Sequence, residues 1–332
     1  MLRDLTYKVV VIDDDPDLYE DYIEEIEEIL REQGYLLEHD RYEELDELEE
    51  NSLEDVDLFL VDLKFGNEDK GPEFISKIRE NYFTDILFYS SDSKAIIASR
   101  SKGEFEGVFF AIRDENKNEI KDRIKQLIDK MIKRSNTPLA SRGLVLGCVA
   151  ELDNIVKDKI HSLLKKISPE QTEKLMDDCT KLYYNSYYGN SDKIKDFFGI
   201  DFHKGKLQWC KVKENYSKYD ISSLVENVAI TDSNKNFRVL LKTYETLKGK
   251  DDTYNIIKDF IELLSDRNIF AHVREERNQN GQYQFKRLNK KEYLVLSEEK
   301  CIELRTGIIK YHKLIGDIES QQNGNSIAEE SM

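Results

Sequence analysis

Two sets of side chains in this 332-residue sequence have types and spacing suited to chemistry. In the first, acidic groups sit at the ends of short apolar runs. Asp13 and Asp14 end "VVVIDD" and Asp62 ends "VDLFLVD", while Ser90 and Arg113 end "DILFYS" and "GVFFAIR". Three carboxylates brought together repel one another unless a cation joins them, and Mg²⁺ with oxygen ligands and retained waters suits that role. The second set is Arg267, Asn268 and His272 in "LLSDRNIFAHVREE". An arginine can hold a phosphate, and a histidine, with a reference pKa near 6.5, can move a proton to or from ribose oxygens. Together they suit metal-independent RNA cleavage, with the RNA's own 2′-hydroxyl as nucleophile and a 2′,3′-cyclic phosphate as product.

The second set is conspicuous because it interrupts a core stripe. At about 100° per residue, Ile256, Ile257, Phe260, Ile261 and Leu264 share one helix face, which next reaches Arg267, Asn268 and Ala271. A buried arginine requires an acidic partner, a subunit interface or an anionic ligand. Asn268 and His272, at i and i+4, share a face. Arg267 and His272 are about 140° apart, so a cleft between helices or subunits would help them converge.

The acidic set needs a scaffold that gathers strand ends. Strand-like runs "YKVVVID", "YLLEHD", "VDLFLVD", "DILFYSS" and "GVFFAIR" alternate with candidate helices near 16–33, 42–50, 72–81, 94–101 and 116–134. This alternation predicts an α/β doubly wound, five-stranded parallel sheet covered on both faces. Ligands of such sheets bind beyond the carboxyl ends of the strands, where these polar groups lie. Ser, Asn, Thr, Pro and Gly in "KRSNTPLASRG" predict a linker over 135–143. The predicted divisions are thus an α/β domain over 1–134, a mainly α-helical domain over 144–320 with short β-hairpin insertions, and a disordered tail over 321–332. Within the helical part, "SPEQ" predicts a capping box, "GQYQFKRLNKKEYLVLS" a hairpin, and Ser297 the cap of a final helix.

Composition narrows the function classes. The net charge is −17, with 37 acidic and 19 basic side chains in residues 1–134 and a near-neutral remainder. A general nucleic-acid coat is excluded for the first part, while the second carries no electrostatic veto against RNA. No apolar run reaches membrane-spanning length and no signal-peptide pattern opens the sequence, so a cytoplasmic protein without a membrane partner is expected. Cys148, Cys179, Cys210 and Cys301 follow no metal or disulfide spacing and read as reduced residues. His39, His161, His203 and His312 read as isolated. No helix-turn-helix with a basic recognition element is evident, which argues against specific DNA reading.

Residues 5–134 resemble the receiver domain of two-component response regulators. "VVVIDDDPD" looks like its first-strand acidic pair, "LFLVDLKFG" its phosphoacceptor segment and "ILFYSS" its switch-hydroxyl strand. The resemblance implies that Asp62 accepts a phosphoryl group from a histidine kinase or small phosphodonor. It implies that Asp13, Asp14 and Asp62 hold Mg²⁺ with the backbone carbonyl of Lys64. Ser90 would turn toward the phosphoryl group and Phe110 would be the rotating aromatic. Arg113 departs from the pattern, standing where the family has lysine, and its planar fork is not interchangeable with an ammonium. A receiver-like docking platform that no longer takes phosphate is therefore a live alternative.

"RNIFAH" resembles the motif of the HEPN superfamily: Arg, a polar residue, three more, then His, late in an all-helical region. The resemblance covers about residues 141–320 and implies a homodimer whose two motifs line one cleft. Many members are ribonucleases, often in prokaryotic stress or antiviral defence. The expectation is a phosphorylation-controlled endoribonuclease. The alternative is a non-enzymatic, phosphorylation-switched dimerisation or partner-docking module, in which Arg267 and His272 cement an interface.

Overall fold

A computed structural model of the chain describes residues 2–43, 55–63, 84–101, 106–113, 118–185, 219–228, 230–286 and 292–318. The expected helices near 42–50 and 72–81, the Lys64 carbonyl, His203, Cys210 and the 321–332 tail lie outside those residues. The chain divides into two compact units: Met1–Leu144 with Ser297–Thr306, and Val145–Leu296 with Gly307–Met332.

In the first unit, β1 (Thr6–Ile12), β2 (Leu36–Tyr42), β3 (Leu58–Asp62), β4 (Asp85–Ser90) and β5 (Val108–Ile112) form one all-parallel sheet in the order β2-β1-β3-β4-β5. This is the flavodoxin-like order, whose topological switch point falls between β1 and β3. The central strand β3, "LFLVD", is buried at every position, as a strand covered on both faces must be. The edge strand β2 is instead polar and half-exposed, "LLEHDRY".

Helix α1 (Pro16–Glu32) starts where the acidic turn ends. The Asp15 carboxylate accepts the N–H groups of Asp17 and Leu18, and Pro16 opens the first turn. Leu18, Tyr22, Ile23, Ile26 and Leu30 then form its buried stripe. After α2 (Ser93–Ser101) and β5, α3 (Asn118–Ser135) packs against α1, with Lys121 Nζ 2.9 Å from Glu25 Oε2.

The expected linker is mostly helix. Helix α4 (Pro138–Leu164) begins two residues after α3, so 138–143 are helical and the break is confined to 136–137. The physical reason is visible at Thr137, whose Oγ1 accepts the Ala140 N–H while Pro138 takes the first helical position. Proline there starts a helix, because its missing N–H has no intrahelical partner to lose.

The second unit is mainly helical, with α5 (Pro169–Asn185), α6 (Ile221–Glu226), α7 (Ser233–Lys248) and α8 (Asp252–His272). The capping box forms as expected: Ser168 Oγ accepts the Gln171 N–H, and Gln171 Oε1 accepts the Ser168 N–H. The expected hairpin is part of a three-stranded antiparallel sheet, β6 (Glu275–Arg277), β7 (Tyr283–Lys286) and β8 (Tyr293–Val295). Helix α9 (Glu298–Gly316) follows, with Ser297 Oγ accepting the Lys300 N–H; its residues to Thr306 group with the first unit and those from Gly307 with the second. Phe260 of α8 packs its ring 4.6 Å from both Phe237 of α7 and Tyr311 of α9, centring the apolar core. Among the described residues no helix is long and apolar enough to cross a membrane.

Candidate functional site

Strand alternation sorts the expected receiver-type residues onto two faces of the sheet. Val61 pairs with Ile12 and Asp62 with Tyr89, so Asp13, Asp62 and Tyr89 share one face at the carboxyl ends of β1, β3 and β4. Ser90 and Phe110 fall on the opposite face with Ile12, Val61 and Phe88.

The acid face is tightly held. Asp13 is fully buried and Asp62 nearly so, at 4% exposure, while Asp14 points to solvent. Arg41 of β2 fixes the backbone of the acidic turn by donating to the carbonyls of Asp13 and Asp14, at 3.2 and 3.0 Å. Asp13 Oδ1 accepts the Asp15 N–H at 2.9 Å, and Oδ2 accepts the Tyr89 hydroxyl at 2.5 Å. Arg113, carried just past β5 by its N–H bond to the Ser90 carbonyl, places Nη1 3.5 Å from Asp62 Oδ2. Burial pushes the Asp13 carboxyl above its ordinary range, while the Tyr89 hydroxyl, the Asp15 amide and Arg113 pull it back. Tyr89 itself is pushed far up, chiefly by burial and then by the charge of Asp13.

On the other face, Ser90 is buried and its Oγ accepts the Asp92 N–H at 3.2 Å. Phe110 stacks on Phe88 at 5.8 Å, and its carbonyl accepts a bond from Arg100 of α2.

Mg²⁺ can be tested against this donor set. Two buried carboxylates on one face, with a single guanidinium against Asp62, leave an excess of negative charge that favours a hard divalent cation. The donor chemistry fits. The donors are not gathered in advance, however: among the described residues no group of three His, Cys, Asp or Glu side chains is disposed to hold a metal. Asp14 would have to turn inward.

Helix α8 carries the second candidate set. Ile257, Phe260, Ile261 and Leu264 are buried as the stripe requires. The helix stops at His272: Val273 is extended, and its N–H returns to the Ile269 carbonyl at 2.9 Å. The chain beyond it does not continue the helix, and Glu275–Arg277 forms β6. Arg267, Asn268 and His272 therefore occupy the last two turns; their side chains lie outside the description. Ile269, about 140° round from Leu264, is buried.

Sequence reading missed Tyr89 and its neighbour Tyr22, whose rings meet edge-on at 5.5 Å. The available signal was a phenol one residue before the switch-type serine, in register with Asp62. Three histidines read as isolated have partners: His39 with Tyr19, His161 with Ser222 and Glu226, and His312 with Glu151. Cys148, Cys179 and Cys301 are buried thiols outside any disulfide, and burial pushes Cys179 up to about 12.

Comparison with protein-family models, curated proteins and solved structures finds no match. The sheet and its acid pocket define a doubly wound α/β class with a helical companion, and functional assignment rests on the site chemistry.

Proposed function

We propose that the chain is a response-regulator-type signalling protein in which a receiver-like unit, with Asp62 as phosphoryl acceptor, controls a HEPN-like helical unit that cleaves RNA. The observation that carries the first part is the pairing of buried Asp13 and Asp62 at the switch point, with Arg113 against Asp62. In this reading an Asp62 oxygen attacks phosphorus in line, and the donor's leaving group departs with the electrons of the broken bond. A histidine kinase or small phosphodonor supplies the group. Arg113 moves from the carboxylate to a phosphoryl oxygen. Asp13, Asp14, Asp62 and the Lys64 carbonyl would hold Mg²⁺, which would supply charge neutralisation for the phosphoryl oxygens. Ser90 and Phe110 carry the change to the opposite face of the sheet.

Support for the RNA part is the position of the Arg267–His272 motif at the end of α8, where the buried stripe becomes polar. Arg267 holds the scissile phosphate, Asn268 lines the same face as His272, and His272 moves protons between ribose oxygens. A homodimer would bring two motifs into one cleft. A prokaryotic stress or antiviral defence setting suits such an activity.

One experiment separates the parts. Full-length protein with mixed RNA in EDTA should give 2′,3′-cyclic phosphate ends, and His272→Ala should cut the rate by about 100-fold or more. In parallel, beryllofluoride with Mg²⁺ should shift the melting temperature or oligomeric state, and Asp62→Ala should abolish the shift. No cleavage in either state, with the beryllofluoride response intact, leaves the non-enzymatic reading: a switched dimerisation or partner-docking module. A platform that takes no phosphate is favoured by one specific observation, since Arg113 already neutralises Asp62. Absence of any beryllofluoride response would establish that version.

A further inference from the structure

We infer that Tyr89 is a built-in competitor for the acid pocket, whose hydroxyl holds Asp13 Oδ2 and sets the threshold for divalent-cation entry. The inference rests on the Mg²⁺ reading of Asp13 and Asp62 above.

Four observations carry it. Tyr89 is fully buried and in register with Asp62, so its side chain has the same face available to it as the acidic pair. Its hydroxyl donates to Asp13 at 2.5 Å, a short, charge-assisted bond. The ring is pinned from the other side by Tyr22 of α1, edge-on at 5.5 Å, so the hydroxyl is held in place by packing. The Leu63 N–H donates to the Tyr89 carbonyl at 2.9 Å, tying the same residue to the end of β3 just beyond Asp62.

The chemistry is a contest for one oxygen. A neutral O–H offers Asp13 partial positive charge without cancelling its net charge. The pocket therefore stays anionic, and a cation is still attracted to it. Yet the oxygen a cation would coordinate has part of its electron density already committed, and Oδ1 is committed to the Asp15 amide. A hard cation that binds Asp13 through Oδ2 must weaken or displace the Tyr89 bond, and binding is weaker by that amount.

The test is metal binding by the full chain, with no activity readout. Mg²⁺ titration calorimetry and Mn²⁺ electron paramagnetic resonance would compare wild type, Tyr89→Phe, Tyr89→Leu and Asp13→Asn. Phenylalanine keeps the ring against Tyr22 and removes only the hydroxyl. Tyr89→Phe should bind about tenfold tighter, the scale of a lost hydrogen bond to a charged group. Tyr89→Leu should also tighten binding, and Asp13→Asn should weaken it. Equal or weaker binding by both Tyr89 variants, with measurable wild-type binding lost in Asp13→Asn, overturns the role of Tyr89 and leaves the Mg²⁺ reading standing. Absence of binding in wild type and both Tyr89 variants overturns the Mg²⁺ reading and the inference with it. Binding that appears only when the hydroxyl is removed supports the inference in its strongest form.

Discussion

At the carboxyl end of the parallel sheet, Arg113 meets the Asp62 carboxylate and keeps about a fifth of its side chain in solvent. At the amino end, Arg305 of α9 is only 1% exposed and meets no carboxylate among the described residues. Its Nε donates to the Gln33 carbonyl and its Nη1 to Asn136 Oδ1, both at 2.8 Å, with the Tyr35 ring 4.5 Å from the guanidinium carbon. Gln33 is the C-cap of α1, and Asn136 directly follows α3. Arg305 therefore stands where two helices present their negative dipole ends, and partial charges take the place of a counter-ion. Such a cation has nothing to exchange with and acts as an anchor. Arg113, paired with a full charge beside water, can be handed to another anion.

The largest expected effect breaks the comparison if it fails. Arg305→Ala should lower stability by about 3 kcal/mol, through lost charged hydrogen bonds, a lost cation–π contact and buried acceptors left unpaired. Arg113→Ala should cost less, about 1–2 kcal/mol, because the arginine side of the pair is open to water although Asp62 is left buried without its cation. Urea denaturation of both variants measures the difference, and equal losses would remove the distinction.

Gly34→Ala should cost about 2 kcal/mol by the same measurement. Gly34 has φ +74°, and a Cβ there would lie 3.0 Å from both Arg305 Cβ and Thr306 Oγ1. Backbone strain and the crowded approach of α9 would add.

The smallest effect sharpens the acid end. Burial raises the folded-state carboxyl of Asp13. Its protonated form therefore favours folding at low pH, and that contribution is lost as pH rises through the raised value. In EDTA at pH 7, Asp13→Asn should gain about 1 kcal/mol, as replacement of a strained functional group often does. The gain should shrink as pH falls through the raised folded value and be gone below the ordinary carboxylate range. Thermal melts across that interval would check the sign.

The two ends also differ in how far they could be read from sequence. Strands such as "LFLVD" are legible because continuous burial demands continuous apolar residues, and the acidic residues fall at their ends by simple counting. Tyr89 was illegible because a phenol in "ILFYSS" fits a buried strand as well as a site, and only its partner, 76 residues away, tells the two apart. Arg305 in "CIELRTGIIKY" reads as the solvent face of an amphipathic helix, since its acceptors lie on distant turns. Pro138 was mistaken for a stop because proline ends one helix and starts the next by the same geometry. Arg267 and His272 were legible as a break in period, which locates a polar turn without saying what it meets.

The Arg305 anchor has a consequence for synthesis. Its bond to Gln33 closes a sequence separation of 272 residues, and Ser297–Thr306 belong to the same compact unit as the sheet. N-terminal domains usually complete folding while the ribosome is still working downstream. Here the sheet's unit cannot be finished until residue 306 has been made, so a nascent chain halted after 144 holds five strands without their anchor. Closing so long a loop makes the final docking step slow relative to local helix formation. The intervening residues, in chain terms an insertion, have time to fold first.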